Sequence, residues 1–114
     1  MQIPDVTELQ LSHAPLAKGT LLTIAGELDI ATVPRIRERL TAIIEGGASR
    51  LVVDLRGVTF MDSTALAAFI HAKVQLDDMT LVLARDSYAR LIFEVAGLEG
   101  VLDVVETLDE AVRA

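Results

Sequence analysis

"LVVDLRGVTFMDSTALAAFIHAK", residues 51–73, decides the fold. Its opening part, with Arg50 in front, reads "RLVVDL" (50–55). A short, nearly all-apolar run of this kind is what a strand covered on both faces requires. From Ser63 onward the stretch is alanine-rich, and Leu66, Phe69, Ile70 and Val74 recur at helical spacing. The join, Met61-Asp62-Ser63-Thr64, therefore sets a carboxylate and two hydroxyls at a helix N-terminus. Asp62 or Ser63 caps that helix, its side-chain oxygen accepting an N–H of the first turn that has no partner within the helix. The positive end of the helix dipole also tolerates negative charge, so a phosphate on a hydroxyl here would not oppose the fold. Capping and function do not exclude each other, and Ser63 is open to both readings.

Outward from the join, the chain is a series of short elements. "VTELQLS" (6–12) is an edge strand and "GTLLTIAG" (19–26) a stronger strand between two glycines. "ATVPRIRERLTAIIEGG" (31–47) is a helix capped by Thr32, with Pro34 in its first turn and Val33, Ile36, Leu40, Ile43 and Ile44 on one face. Downstream come a strand at "MTLVLAR" (79–85), then a helix at "SYARLIFEVAG" (87–97), with Leu91, Ile92 and Val95 facing in and Gly97 as the stop. "VLDVVE" (101–106) is a last strand and "LDEAVRA" (108–114) a last helix. The order β-β-α-β-α-β-α-β-α predicts an α/β domain with a mostly parallel sheet. The first two strands, with no helix between them, form an antiparallel pair or a sheet-edge exception.

Two further features surround the join. The helix face opposite Leu66, Phe69 and Ile70 runs Thr64, Ala67, Ala68, His71, Gln75 and is nearly uncharged, which suits a docking partner as well as it suits plain helix formation. "GELD" (26–29) ends a strand ahead of a capped helix. If its strand neighbours the one at 50–55, Glu27 and Asp29 share a sheet edge with Asp62 and Ser63, where α/β domains place their sites. Otherwise they are turn and capping acids.

Composition narrows the function classes. The 114 residues suit one domain spanning 1–114, with an aliphatic core, since the chain is 52% hydrophobic but only 4% aromatic. A net charge of −7 argues against direct nucleic-acid binding and leaves room for a basic-surfaced protein partner. No apolar run approaches the roughly 20 residues of a membrane span, and "MQIPDVTELQ" lacks the basic start and apolar centre of a signal peptide. No membrane insertion and a cytoplasmic location are expected. Without cysteine there is no disulfide, thiolate nucleophile or thiolate-held zinc. The only histidines are His13 and His71, and His71, more than two helical turns from Ser63, cannot serve it as a base. A receiver-type phosphoaspartate at Asp54 would want a lysine after a later strand, and "LVLARD" has none. No catalytic constellation, metal site or cofactor site emerges, so the chain reads as a non-enzyme.

"AGELDIATVPRIRERL", "LVVDLRGVTFMDSTALAAFI" and "RLIFEVAGLEGVLDVVETLDEAV", taken in this order, resemble a STAS domain of the bacterial anti-sigma factor antagonist (anti-anti-sigma factor) type. The resemblance runs from about residue 7 to 112 and rests on G-E-x-D and M-D-S-[ST] together. It implies a STAS-like single domain, a small mixed, mostly parallel sheet with about four helices packed mainly on one face. It implies binding to an anti-sigma factor, a serine kinase with the histidine-kinase-like ATPase fold, and release of the sigma factor. The kinase would phosphorylate the serine after Asp of M-D-S, here Ser63, and a serine phosphatase would reverse it. Asp29 and Asp62 match motif positions around that serine. With Thr64, Ala67, Ala68 and His71 they form the expected partner-binding surface. The alternative within the family is an unphosphorylated STAS subunit of a lipid-transport or stress-signalling complex. Two positions depart from the family pattern: Ala65 stands where glycine is usual, its methyl in the path of a close kinase backbone, and the connection "VQLDDM" is short and lacks glycine.

Overall fold

The computed structural model describes residues 8–98 and 100–113. The elements follow the expected order: β1 (Gln10–Leu16), β2 (Gly19–Leu28), α1 (Val33–Glu45), β3 (Arg50–Met61), α2 (Ser63–Lys73), β4 (Asp78–Val82), α3 (Tyr88–Val95), β5 (Asp103–Val105) and α4 (Leu108–Arg113). The strands lie side by side in sequence order, with β1–β2 antiparallel and β2–β3, β3–β4 and β4–β5 parallel. The first strand lies later than its alternation suggested. Of the expected 6–12, residues 10–12 are strand and residues 6 and 7 lie outside the described residues.

The sheet grows in one direction, from β2 to β5. Parallel crossovers of one hand then carry every connecting helix to the same face. Residues of α1, α2 and α3 accordingly share one core with Leu22, Ile24, Leu51, Val53, Leu55, Met79 and Leu81. The alternate positions Val52 and Val82 point the other way and meet Ala111 of α4 in a smaller second cluster. Both faces of β3 are thus apolar and covered near its start, which accounts for its continuous hydrophobic run.

Both strands that lead to the candidate site are longer than expected. β2 continues through Gly26 to Leu28, and β3 through Gly57 to Met61. The pairing slips at two irregularities, between Thr23 and Ala25 and between Gly26 and Glu27. Gly26 is needed there: its φ is +106°, and a Cβ would stand 2.6 Å from the Glu8 carbonyl oxygen.

Several expected faces are corrected. Leu66 and Phe69 of α2 are buried and Ile70 is partly so, but Val74, at the helix C-cap, is 75% exposed. Ala65, Ala68 and Ala72 line the buried side, where α2 packs against α1. Ala68, expected on the outer face, is 2% exposed. Small residues let the two helices approach, so the alanines belong between them. On α3 the buried residues are Ala89 and Phe93, while Leu91 and Val95 are exposed and Ile92 lies between. Gly97 does close α3, at φ +71°. On α1, Val33, Ile36, Leu40 and Ile43 are buried as expected and Ile44 partly so.

Candidate site at the carboxyl edge of the sheet

β2 and β3 run parallel and end together. Leu28 is the partner of Met61, and the Asp62 N–H donates to the Leu28 carbonyl at 3.1 Å. "GELD" and "MDST" therefore meet at one edge, as expected if their strands are neighbours. Each carboxylate is fixed by backbone. Asp29 Oδ1 accepts from the N–H groups of Ala31 at 2.9 Å and Thr32 at 3.1 Å, closing the β2–α1 turn. Thr32 does not cap α1 through its side chain. Its hydroxyl instead donates to the Glu27 carbonyl at 2.8 Å and accepts from the Asp29 N–H at 2.9 Å, so it braces the turn that carries Asp29.

The question of which residue caps α2 has a clear answer. Asp62 is the N-cap, in extended conformation, and its Oδ1 accepts from the Thr64 N–H at 2.9 Å. The Thr64 hydroxyl also donates to Asp62 Oδ1. The two neighbouring hydroxyls thereby separate. Thr64 is half-buried and spends its proton within the cap. Ser63, the first residue of the helix, is exposed and its hydroxyl has no partner among the described residues. It stands on the positive end of the α2 dipole. Ala67 and His71 continue the exposed face above it, and Val74, three turns on, extends the same line. Beside this face α1 and α2 enclose a groove of about 250 Å³, with Leu40, Ala68 and Ala72 beneath Arg37, Thr41 and His71.

Asp54, weighed as a phosphoacceptor, is otherwise employed. Its carboxylate accepts from Arg56, at 2.9 Å from Nε, 2.8 Å from Nη2 and 3.1 Å from the backbone N–H. Burial pushes the Asp54 carboxyl up, but the bonds from Arg56 outweigh it and hold the group below its ordinary value. Among the described residues no group of three His, Cys, Asp or Glu side chains is placed to hold a metal ion, and no helix is long and apolar enough to cross a membrane.

Sequence reasoning missed an aromatic pair at the same edge. Phe60 stacks on Tyr88, ring centroids 5.7 Å apart and planes 16° from parallel. Each sits in an ordinary-looking apolar or helical run, and only the packing of α3 against β3 joins them.

The STAS domain family model matches residues 9–111. The chain belongs to the STAS domain family. An anti-sigma-B factor antagonist of Staphylococcus aureus is 35% identical over 86 residues, covering 73% of this chain and 80% of that protein. Among solved structures, an anti-sigma factor antagonist from Mycobacterium paratuberculosis superposes with a TM-score of 0.88 at 20% identity, covering 97% of both chains. SpoIIAA, an anti-sigma factor antagonist, superposes in its unphosphorylated form with a TM-score of 0.71 at 24% identity, over 92% of this chain and 93% of that one. Its phosphorylated form, described as a Bacillus cell fate determinant, gives 0.65 at 22% identity, over 93% and 97%.

Both departures from the STAS pattern have a structural account. Ala65 is fully buried, so its methyl group packs into the core and is not presented at the surface. The short "VQLDDM" connection is tied down by the Ser49 carbonyl, which accepts from the N–H groups of Asp77 at 2.8 Å and Asp78 at 3.2 Å.

Proposed function

We propose that this STAS domain, taken as the whole chain, is a cytoplasmic anti-sigma factor antagonist. It binds an anti-sigma factor serine kinase and so frees the sigma factor, and it is switched off by phosphorylation of Ser63. The observation that carries this reading is the free, exposed Ser63 hydroxyl beside a cap supplied entirely by Asp62. The resemblance at M-D-S-[ST] and kinship with anti-sigma factor antagonists support it. The domain itself is a substrate and not an enzyme. The kinase transfers the γ-phosphoryl group of ATP to Ser63 Oγ: an Oγ–P bond forms, the bond from the γ-phosphorus to the β,γ-bridging oxygen breaks, ADP leaves, and the hydroxyl proton passes to a base of the kinase. A serine phosphatase restores the hydroxyl: water attacks the phosphorus, the Oγ–P bond breaks, Oγ takes up a proton and inorganic phosphate leaves.

Complex formation would bring the kinase onto Ser63, Ala67 and His71, with Asp29 and Asp62 holding the two turns in shape and Thr64 bracing the cap. Ala68 contributes through the groove beside this face, not as a contact on it. A phosphate adds about −1.5 to −2 charges at pH 7 next to Asp62 and near Asp29, in a contact shaped for a neutral hydroxyl. Mass spectrometry after incubation with the cognate kinase and ATP tests the reading. Phosphate on Ser63 is expected. Phosphate on Thr64, or on neither residue, would overturn it in favour of an unphosphorylated STAS subunit of a larger complex.

A further inference from the structure

We propose that the kinase is gripped by an apolar rim on either side of Ser63, with Ile30 on one flank and Phe60, Tyr88 and Leu91 on the other. This identifies how the partner of the proposed switch is held, and rests on that reading. The topology sets the arrangement. β2, β3 and β4 are adjacent and parallel, so the segments that follow them emerge side by side at one edge. Ile30 follows β2, Ser63 follows the central β3, and Tyr88 follows β4. Ile30 is 78% exposed, Leu91 53%, Tyr88 43% and Phe60 39%. Water-facing apolar groups are ordinary when scattered, but these four lie at the edge of the sheet that carries Ser63.

The Phe60–Tyr88 stack holds both rings in place before any partner arrives, so binding them costs little further side-chain entropy. Leu91 is one turn beyond Tyr88 and lines the same surface hollow. Acids border the rim: Asp29 adjoins Ile30, Asp62 adjoins Ser63, and Asp86 lines the hollow of Tyr88 and Leu91. Two arginines beside it are paired with acids, Arg85 with Glu106 at 3.0 Å and Arg90 with Glu94 at 3.6 Å. An apolar centre ringed by acids fits a partner with apolar side chains inside a basic border. A second copy, at net charge −7, would set acids against acids.

Calorimetric titration of the ADP-loaded cognate kinase with wild type, Ile30→Asp, Leu91→Asp and a control, Val112→Asp, tests this. Val112 is exposed on α4, on the opposite face of the sheet. Ile30→Asp and Leu91→Asp should each weaken binding about tenfold or more, as for a contact at the centre of an interface, with thermal melts unchanged. The control should bind as wild type does. Wild-type affinity in both rim variants overturns the rim, even where Ser63 is phosphorylated. Weakened binding without any phosphate on Ser63 upholds the rim and removes the switch, and no binding by wild type removes both. Sedimentation of the chain alone is the last arm: a dimer dispersed by Leu91→Asp would assign the rim to a second copy and overturn the kinase assignment.

Discussion

Ser63 and Thr64 are adjacent hydroxyls with different fates, and the difference lies in one carboxylate. Asp62 takes both the Thr64 N–H and the Thr64 hydroxyl, while the Ser63 hydroxyl has no partner among the described residues. Ser63→Ala should therefore fold and bind but resist the kinase. Ser63→Asp should be folded and fail to bind. Thr64→Ala should remain a substrate at Ser63, with a modest loss of stability because the cap keeps its backbone bond. Phosphate incorporation and calorimetry on the three variants check this set. A second residue-scale prediction concerns Asp54. Its carboxyl is held below the ordinary range, burial opposing and Arg56 prevailing. A group whose folded value is depressed contributes stability above its unfolded value and loses it as pH falls through the folded one. Urea midpoints taken from about pH 5 to 2 should thus fall more steeply in wild type than in Asp54→Asn. Equal slopes would mean the Arg56 contact contributes nothing in solution.

At the scale of elements, the two helices flanking the site are turned differently from their hydrophobic spacing. On α2, Leu66→Ala should cost about 2–5 kcal/mol as a buried truncation. Val74→Ala should stay within about 0.5 kcal/mol, because that side chain faces water. Ala68→Glu, which an exposed site would accept, should instead destabilise by about 1–3 kcal/mol from overpacking between α1 and α2, and more from the buried charge. On α3, Phe93→Ala should cost about 3–5 kcal/mol and Leu91→Ala almost nothing in stability. Thermal or urea melts measure all of these. A stable Phe93→Ala with a crippled Leu91→Ala would mean that α3 is rotated from the orientation described.

For the molecule as a whole, the core and the proposed recognition surface are separate. The core lies beneath α1, α2 and α3, while Ser63 stands outside it on a helix dipole that favours negative charge. Phosphorylation should accordingly leave the circular dichroism spectrum and melting temperature nearly unchanged while abolishing complex formation. A large drop in melting temperature on stoichiometric phosphorylation would show that the switch works by unfolding and not by repulsion at a surface.

Much of this was legible in the residues. Alternation of apolar runs with helical spacing determined the element order and the parallel sheet, because period and length are local properties of the chain. The two motifs around "GELD" and "MDST" were visible for the same reason. What only tertiary structure decided was orientation and adjacency. The alanines of α2 look like an outer face until α1 is packed against them. Leu91 and Val95 look like core until α3 is set on the sheet by Ala89 and Phe93. Gly26 looks like a strand end and the apolar run of β3 looks finished at Leu55, yet both strands continue, and that extension sets Leu28 beside Met61 and so Asp29 near Ser63. Hydrophobic spacing states that a helix has an apolar side. Which of two candidate sides is covered depends on the neighbours that folding brings, and those are long-range contacts that no local pattern encodes.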